Sequence, residues 1–309
     1  MTATAAFAVL LAVGCGPQGG SGRALSIVTT TTQIGDWARI VGGDDVDVHQ
    51  ILQPNTDPHE YEPRPHDVEA TAGAKLVFEN GDRLDAWMAK VVSGAGGHPV
   101  VVDVGAHVPV RLRGDTTGPE ASRYDPHWWH DPRNAEAAVA AIRDALRTAD
   151  PAHADSYTGR AARYIARLHT LDRGISTCLA QVPPAQRKLV TDHDAFGYFA
   201  YRYGIQVVGA VIPSQTTQAQ PSAGATARLI ALIRREHVRA VFPENSISPQ
   251  LARTIARDSG ASAAYTLYGD TLGPAGSVGA TYLSMELANA DAMVRGFTDG
   301  RDRCRIAGL

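Results

Sequence analysis

The stretch between Asp150-Pro151 and Pro183-Pro184 constrains the fold more than any other part of the 309-residue chain. Apolar residues Ala154, Tyr157, Ala161, Ile165, Leu168, Leu171, Ile175 and Leu179 recur in it every three or four positions. That is the spacing of one buried stripe on an α-helix. Proline suits the first helical position but breaks a helix interior. The pattern therefore predicts one uninterrupted helix over residues 151–182, roughly thirty residues and about 45 Å long. A rod of that length outreaches a single modest lobe and is expected to join two.

On either side the sequence changes rhythm. Before the rod, "LSIVTTT", "QIGDWARIVGG", "VDVHQILQ", "DVEATAGA", "KLVFENG", "LDAWMAKVVSG" and "PVVVDVG" alternate β-branched runs with helical patterns. After it, "KLVTDH", "AFGYFAYRYG", "IQVVGAV", "ATARLIALIRREHV", "RAVFPE", "PQLARTIARDSG", "ASAAYTLYG" and a closing helix near "TYLSMELANADAMVRGF" do the same. Strands alternating with helices imply a parallel sheet covered on both faces. The expected architecture is α/β: two Rossmann-like lobes, residues 25–150 and 183–309, joined by one long rigid linker helix, with a cleft between them. A net charge of -3, with no cluster of Lys and Arg, argues against a nucleic-acid partner.

The opening "MTATAAFAVLLAVGC" is an apolar run ending in small residues and a cysteine, too short to span a bilayer and shaped like a secretion signal. "LAVGC" resembles a bacterial lipobox. Residues 1–14 are then a signal peptide, Cys15 the lipidated N-terminus of the mature protein, and residues 15–24 a flexible Gly-rich tether. No later stretch approaches the eighteen or so apolar residues of a membrane span. With Cys15 lipidated, Cys178 and Cys304 remain as a candidate disulfide pair in a compartment where disulfides persist.

Ligands of open α/β sheets bind beyond the carboxyl ends of the strands, so the chemically distinctive residues there matter most. His59 lies in "PNTDPHEYEP", His127 and His130 in "DPHWWHDP", His193 in "DHDAF" and Asp270 in "GDTLGPAGS". Two of these loops come from each lobe. A single loop histidine is more often a solvated residue or a cap than a ligand. Taken jointly, three neutral imidazoles and a carboxylate form a four-coordinate set well suited to Zn2+. His49, His66, His98, His107, His153, His169 and His237 lie in strands, at helix starts and on helix faces or loops that suggest no such set.

In order and spacing, "DPHEYEP", "DPHWWHDPRNA", "TDHDAFGYFAYRYG", "FPENSISPQ" and "GDTLGPAGSVGATYLSM" resemble the solute-binding proteins of bacterial zinc and manganese ABC importers, the cluster A-I lipoproteins. The resemblance covers essentially the whole mature chain. It implies a metal held in the cleft by His59, His127, His193 and Asp270. His127 takes the second ligand position, and His130 replaces a usually aliphatic residue. Standing just before Asp131-Pro132, a helix start, His130 is expected to face the scaffold as a supporting group. Glu244 in "FPENSIS" is the expected partner of a ligand histidine, whose second nitrogen usually donates to a carboxylate or carbonyl.

A histidine at position 193, where manganese-type relatives tend to carry a carboxylate, favours zinc over the harder Mn2+; manganese is the alternative cargo. Many zinc-specific relatives carry a His-rich loop between the first two ligands. Here "HVPVRLRGDTTGPEASRY" holds one histidine, which suggests capture without a flexible collector.

The resemblance further implies an extracytoplasmic, membrane-tethered monomer that delivers its ion to an ABC permease. A surface adhesin with the same cleft is a second reading. A zinc hydrolase is a third, disfavoured because four protein ligands leave no open position for water. His59-Glu60 begins like a zincin motif, but Pro63 breaks both the H-E-x-x-H spacing and the helix it needs.

Overall fold

The computed structural model describes residues 1–2, 24–118 and 120–309. The expected lipidation site Cys15, with nearly all of the signal segment and tether, lies outside the described residues.

The first lobe runs β1 (Leu25–Thr29), α1 (Thr32–Gly42), β2 (Val46–Gln50), α2 (Pro65–Gly73), β3 (Leu76–Glu79), α3 (Met88–Ala95), β4 (Val100–Asp103) and α4 (Pro132–Ala149). Its four strands are all parallel, in the order β2-β1-β3-β4. Ile27, Val28, Val77 and Phe78 are fully buried, as central strands covered on both faces require. The chain leaves β1 for one neighbour and returns on its other side. The carboxyl ends of the strands therefore open into a crevice at that switch point.

The second lobe contains β5 (Lys188–His193), α6 (Gly197–Tyr203), β6 (Gln206–Ile212), α7 (Ala223–Arg235), α8 (Gln250–Ser259) and α9 (Tyr282–Phe297). Strands β5 and β6 are parallel neighbours. The stretches "RAVFPE" and "ASAAYTLYG" read as full strands in the sequence, but they join the sheet only through single parallel bridges: Thr191 to Phe242, Ala240 to Ser262 and Glu244 to Leu267. Pro243 falls within the first of them and has no N–H to give a ladder. The direction of the chain is kept, and both segments still end at the cleft.

Helix α5 (Ala154–Ala180), 27 residues and about 40 Å long, connects the lobes. It starts later than the sequence suggests. Pro151–His153 form a separate 3-10 turn, because the Asp150 carboxylate accepts from His153 Nδ1 (2.6 Å) and Tyr157 Oη (2.7 Å) and so does not cap the helix. Its buried stripe is Tyr157, Ala161, Tyr164, Leu168, Leu171, Ile175 and Leu179; Tyr164 takes the place expected of Ile165. This stripe packs on α1 and α4 of one lobe and on α6 and α9 of the other, so one apolar core runs through both. In its last turn Cys178 is disulfide-bonded to Cys304 of the C-terminal tail.

Candidate metal centre

The four loops meet in the cleft. One donor atom from each of His59, His127, His193 and Asp270 lies within 4.8 Å of the other three, and all four residues are buried. His127 Nε2, His193 Nε2 and Asp270 Oδ1 form a triangle with sides of 3.4 Å. Metal–ligand bonds of about 2.0–2.1 Å give a tetrahedron edges of roughly 3.3–3.4 Å. The triangle thus has the size of one face of a zinc tetrahedron.

Local sequence aims each side chain. Asp57-Pro-His59 and Asp125-Pro-His127 are two copies of one device. In each, the aspartate Oδ1 accepts the backbone N–H of the histidine two residues on, at 2.9 Å. This is an Asx-turn, in which a short acidic side chain replaces a backbone acceptor. Proline between them fixes its own φ and restricts the residue before it. In the second copy Asp125 Oδ1 also accepts from His127 Nδ1 (2.8 Å). In the first, the ring instead donates Nδ1–H to Glu120 Oε2 (2.5 Å). His193 closes β5, and Glu244 Oε1 accepts both its backbone N–H (2.9 Å) and its Nδ1–H (3.1 Å). Each imidazole is thereby held in one tautomer with Nε2 toward the centre.

Asp270 differs from its partners. Both carboxylate oxygens are buried and have no hydrogen-bond partner among the described residues, as does His59 Nε2. Its backbone is pinned by the first lobe: Gln33 Nε2 donates to the Asp270 carbonyl (2.9 Å), and Thr32 Oγ1 accepts from Leu272 N (2.9 Å). Trp129 Nε1 reaches across the cleft to the Gly269 carbonyl (3.2 Å), while Trp128 Nε1 stays in its own lobe on the Asn80 carbonyl (3.1 Å). Two adjacent indoles thus tie the His127 turn to both lobes.

The electrostatics are those of a site built around a cation. Burial alone would depress the His127 imidazole, but the Asp125 and Asp270 carboxylates outweigh it and hold the group at about 9. Burial likewise opposes charge on His193, and Glu244 with Asp270 raises it well above the ordinary range. Burial should raise Asp270, yet the three surrounding histidines keep it well below an ordinary carboxylate. Protons thus stand in for positive charge that the donor set would otherwise take from a metal.

His130 is elsewhere. Its Nδ1 donates to Glu286 Oε1 on α9 (2.8 Å), its ring stacks on Phe196 at 4.4 Å, and neither nitrogen reaches the cluster. This is the scaffold-facing orientation expected of it: the 3-10 turn over Trp128–His130 directs His130 away from the donor cluster and into the core. Glu244 does stand against a donor histidine. Sequence reasoning missed Asp125, Glu120 and Gln218, whose Nε2 donates to the His59 carbonyl. The repeated Asp-Pro-His was a usable signal for Asp125. Glu120 and Gln218 come from distant loops and gave none.

Two α/β lobes on one long helix, with a buried donor set drawn from both, define a solute-binding protein of the metal-importer class. The profile described as "Zinc-uptake complex component A periplasmic" matches residues 27–296, and the chain belongs to that family. The iron-binding protein YfeA of Yersinia pestis is 33% identical over 276 residues, spanning 89% of this chain and 87% of its own length. The manganese-binding lipoprotein MntA of Halalkalibacterium halodurans is 30% identical over 293 residues, spanning 94% and 95%. The solved periplasmic zinc-binding protein TroA of Treponema pallidum superposes with a TM-score of 0.80 at 32% identity, covering 89% of this chain and 99% of that one.

Proposed function

We propose that the protein captures one Zn2+ outside the cytoplasm and hands it to an ABC permease, with His59, His127, His193 and Asp270 as the four ligands. The observation that carries this is the donor set itself: three imidazole nitrogens and one carboxylate oxygen, buried and gathered within 4.8 Å. Imidazole suits zinc, whereas Mn2+ prefers more oxygen. Four protein donors leave no open position for an activated water, which supports carriage over hydrolysis. Two ligands from each lobe make opening of the cleft the natural release step. Tethering through a lipid on Cys15 would keep the carrier near the permease. Among the described residues no helix is long and apolar enough to cross a membrane.

Manganese is the second reading, favoured by one observation. Among the described residues neither Asp270 oxygen has a hydrogen-bond partner, so the carboxylate could bind in bidentate fashion and add oxygen to the coordination shell. The deciding measurement is the metal content of protein purified without added metal, followed by competition among Zn2+, Mn2+ and Fe2+ against chelators of known affinity. One zinc per chain, and zinc held most strongly after allowance for the general Irving–Williams trend, supports the reading. Near-stoichiometric manganese or iron in the purified protein would replace it.

A further inference from the structure

Between β4 and α4 the first lobe makes an excursion whose two arms run antiparallel. Gly114 N donates to the Arg123 carbonyl (3.1 Å), Ser122 N to the Asp115 carbonyl (2.9 Å) and Asp125 N to the Leu112 carbonyl (3.1 Å). A Cβ on Gly114 would meet the Ser122 carbonyl oxygen at 2.4 Å, so only glycine lets the arms approach this closely. The hairpin carries a carboxylate at either end. Asp125 at its base holds His127, and Glu120 near its outer end holds His59. Among the described residues, the other hydrogen bonds of His59 are made by its backbone, to Asp57 and Gln218, and Glu120 is the one hydrogen-bond partner of its ring.

The hairpin belongs to the first lobe, but the second lobe grips it twice. At the base, Tyr198 Oη accepts from Leu112 N (2.9 Å) and donates to the Asp125 carbonyl (3.0 Å). Farther out, Asp115 Oδ2 accepts from Ser214 Oγ (2.8 Å) and Gln215 N (2.9 Å), and Asp115 N donates to Gln215 Oε1 (2.9 Å).

We propose that this hairpin is a positioning arm: Glu120 aims the His59 imidazole at the metal, and the Asp115 anchor on Ser214 and Gln215 keeps Glu120 in place only while the lobes are closed. The inference rests on reading His59 as a ligand. An imidazole whose second nitrogen donates to a carboxylate is fixed in tautomer and ring rotation, and such partners are worth about 10–100-fold in metal affinity. The Glu120 side chain is 20% exposed, so water competes for His59 once the arm lifts. Opening the cleft would break the anchor, free Glu120 and then loosen His59, giving release an order.

The test is the rate at which zinc leaves the full mature chain into excess chelator, followed by stopped flow for Glu120→Ala, Glu120→Gln, Asp115→Ala, the Asp115→Ala/Glu120→Ala double variant and His59→Ala. His59→Ala should release fastest. Glu120→Ala should release about 10–100-fold faster than the unaltered protein, and Glu120→Gln, whose amide oxygen still accepts Nδ1–H, should recover most of that loss. Asp115→Ala should accelerate release, and the double variant should fall short of the product of the two single accelerations, because part of the Asp115 effect passes through the Glu120 contact. With Co2+ as a spectroscopic probe, the visible spectrum should change in Glu120→Ala and return in Glu120→Gln. An unchanged rate in Glu120→Ala beside a fast His59→Ala overturns the positioning role. Accelerations that multiply in the double variant overturn the coupling to the anchor. A His59→Ala rate equal to that of the unaltered protein overturns the ligand assignment itself, whatever the arm variants do.

Discussion

His127 and His130 show how three residues of separation divide chemistry from scaffolding. Replacing His127 by Ala removes a cluster donor and leaves Asp125 and Asp270 without their shared cation; zinc affinity should fall by more than the roughly 100-fold upper range of indirect losses. Replacing His130 by Leu should leave affinity within about tenfold, near 1.4 kcal/mol. It strands Glu286, fully buried on α9, and should lower stability by about 1–3 kcal/mol. Chelator competition and thermal melts on both variants should therefore rank them in opposite orders, and a large affinity loss in His130→Leu would contradict this division.

Proton competition also belongs to this scale. Without metal, His127 is held near 9, above its ordinary value of about 6.5. A raised folded value stabilises the metal-free protein fully below about 6.5 and loses that contribution as pH rises through about 9. Zinc needs the neutral ring, so its apparent affinity should move the other way, rising about tenfold per pH unit for each proton displaced across that window. Titrations at several pH values, with melts of the metal-free protein alongside, check both signs; a pH-independent affinity would exclude histidine donors. The four clustered residues were legible because each lies at or beyond the carboxyl end of a β-rich run in the sequence and is chemically distinctive. Glu120 was not, since an acid in a loop of Gly, Thr and Ser reads as a solvated turn until the fold lays it on His59.

At the scale of elements, the long helix was legible from its stripe and its flanking prolines, because burial of one face imposes a period that a sequence must display. Its start was not: the choice between capping and the His153–Tyr157 contacts of Asp150 depends on side chains a turn away. The irregular strands of the second lobe were hidden for a related reason, since β-branched runs report burial and direction but not whether a ladder closes. The end of the helix is tied to the tail by Cys178–Cys304, a sequence separation of 126 residues. The tail packs closely there: a Cβ on Gly174 would meet Ile306 Cδ1 at 2.5 Å. Opening the disulfide frees a long loop in the unfolded chain, so reduction should lower stability by about 2–5 kcal/mol. Melts with and without reductant measure it, and Gly174→Ala, which displaces Ile306, should weaken the same region even when the disulfide is intact. An unchanged melting temperature on reduction would show that the tail is held by packing alone.

For the whole molecule, the question is what keeps two lobes closed over a charged, buried cluster. The apolar core continuous through α5 resists separation near the helix, but the cleft itself is bridged by polar contacts: Asn55 N to Thr271 Oγ1 (3.1 Å), Asn245 Nδ2 to Asn55 Oδ1 (2.9 Å), and the grip of Asp115 on Ser214 and Gln215. Hydrogen bonds of this kind contribute only about 0.5–1.5 kcal/mol each. Against them, closure without metal leaves the buried Asp270 carboxylate facing protonated histidines at 3.4 Å, outside good hydrogen-bond geometry, an arrangement that costs free energy unless a metal cation completes it. Metal should therefore act as a bridge between lobes, and its removal should loosen the cleft edges without disturbing the spine. Hydrogen exchange followed by mass spectrometry, on zinc-loaded and chelator-stripped protein, reads this directly. Protection should fall on stripping in residues 53–60, 112–125, 213–218 and 268–273, while α5 and the strands β1 and β3 stay protected. The loaded form should also melt higher, by the equivalent of about 4 kcal/mol when free zinc is a thousandfold above its dissociation constant. Equal exchange in both forms at all four cleft segments would mean that the polar bridges alone hold the lobes shut, and that release requires force from the permease rather than loss of the ion.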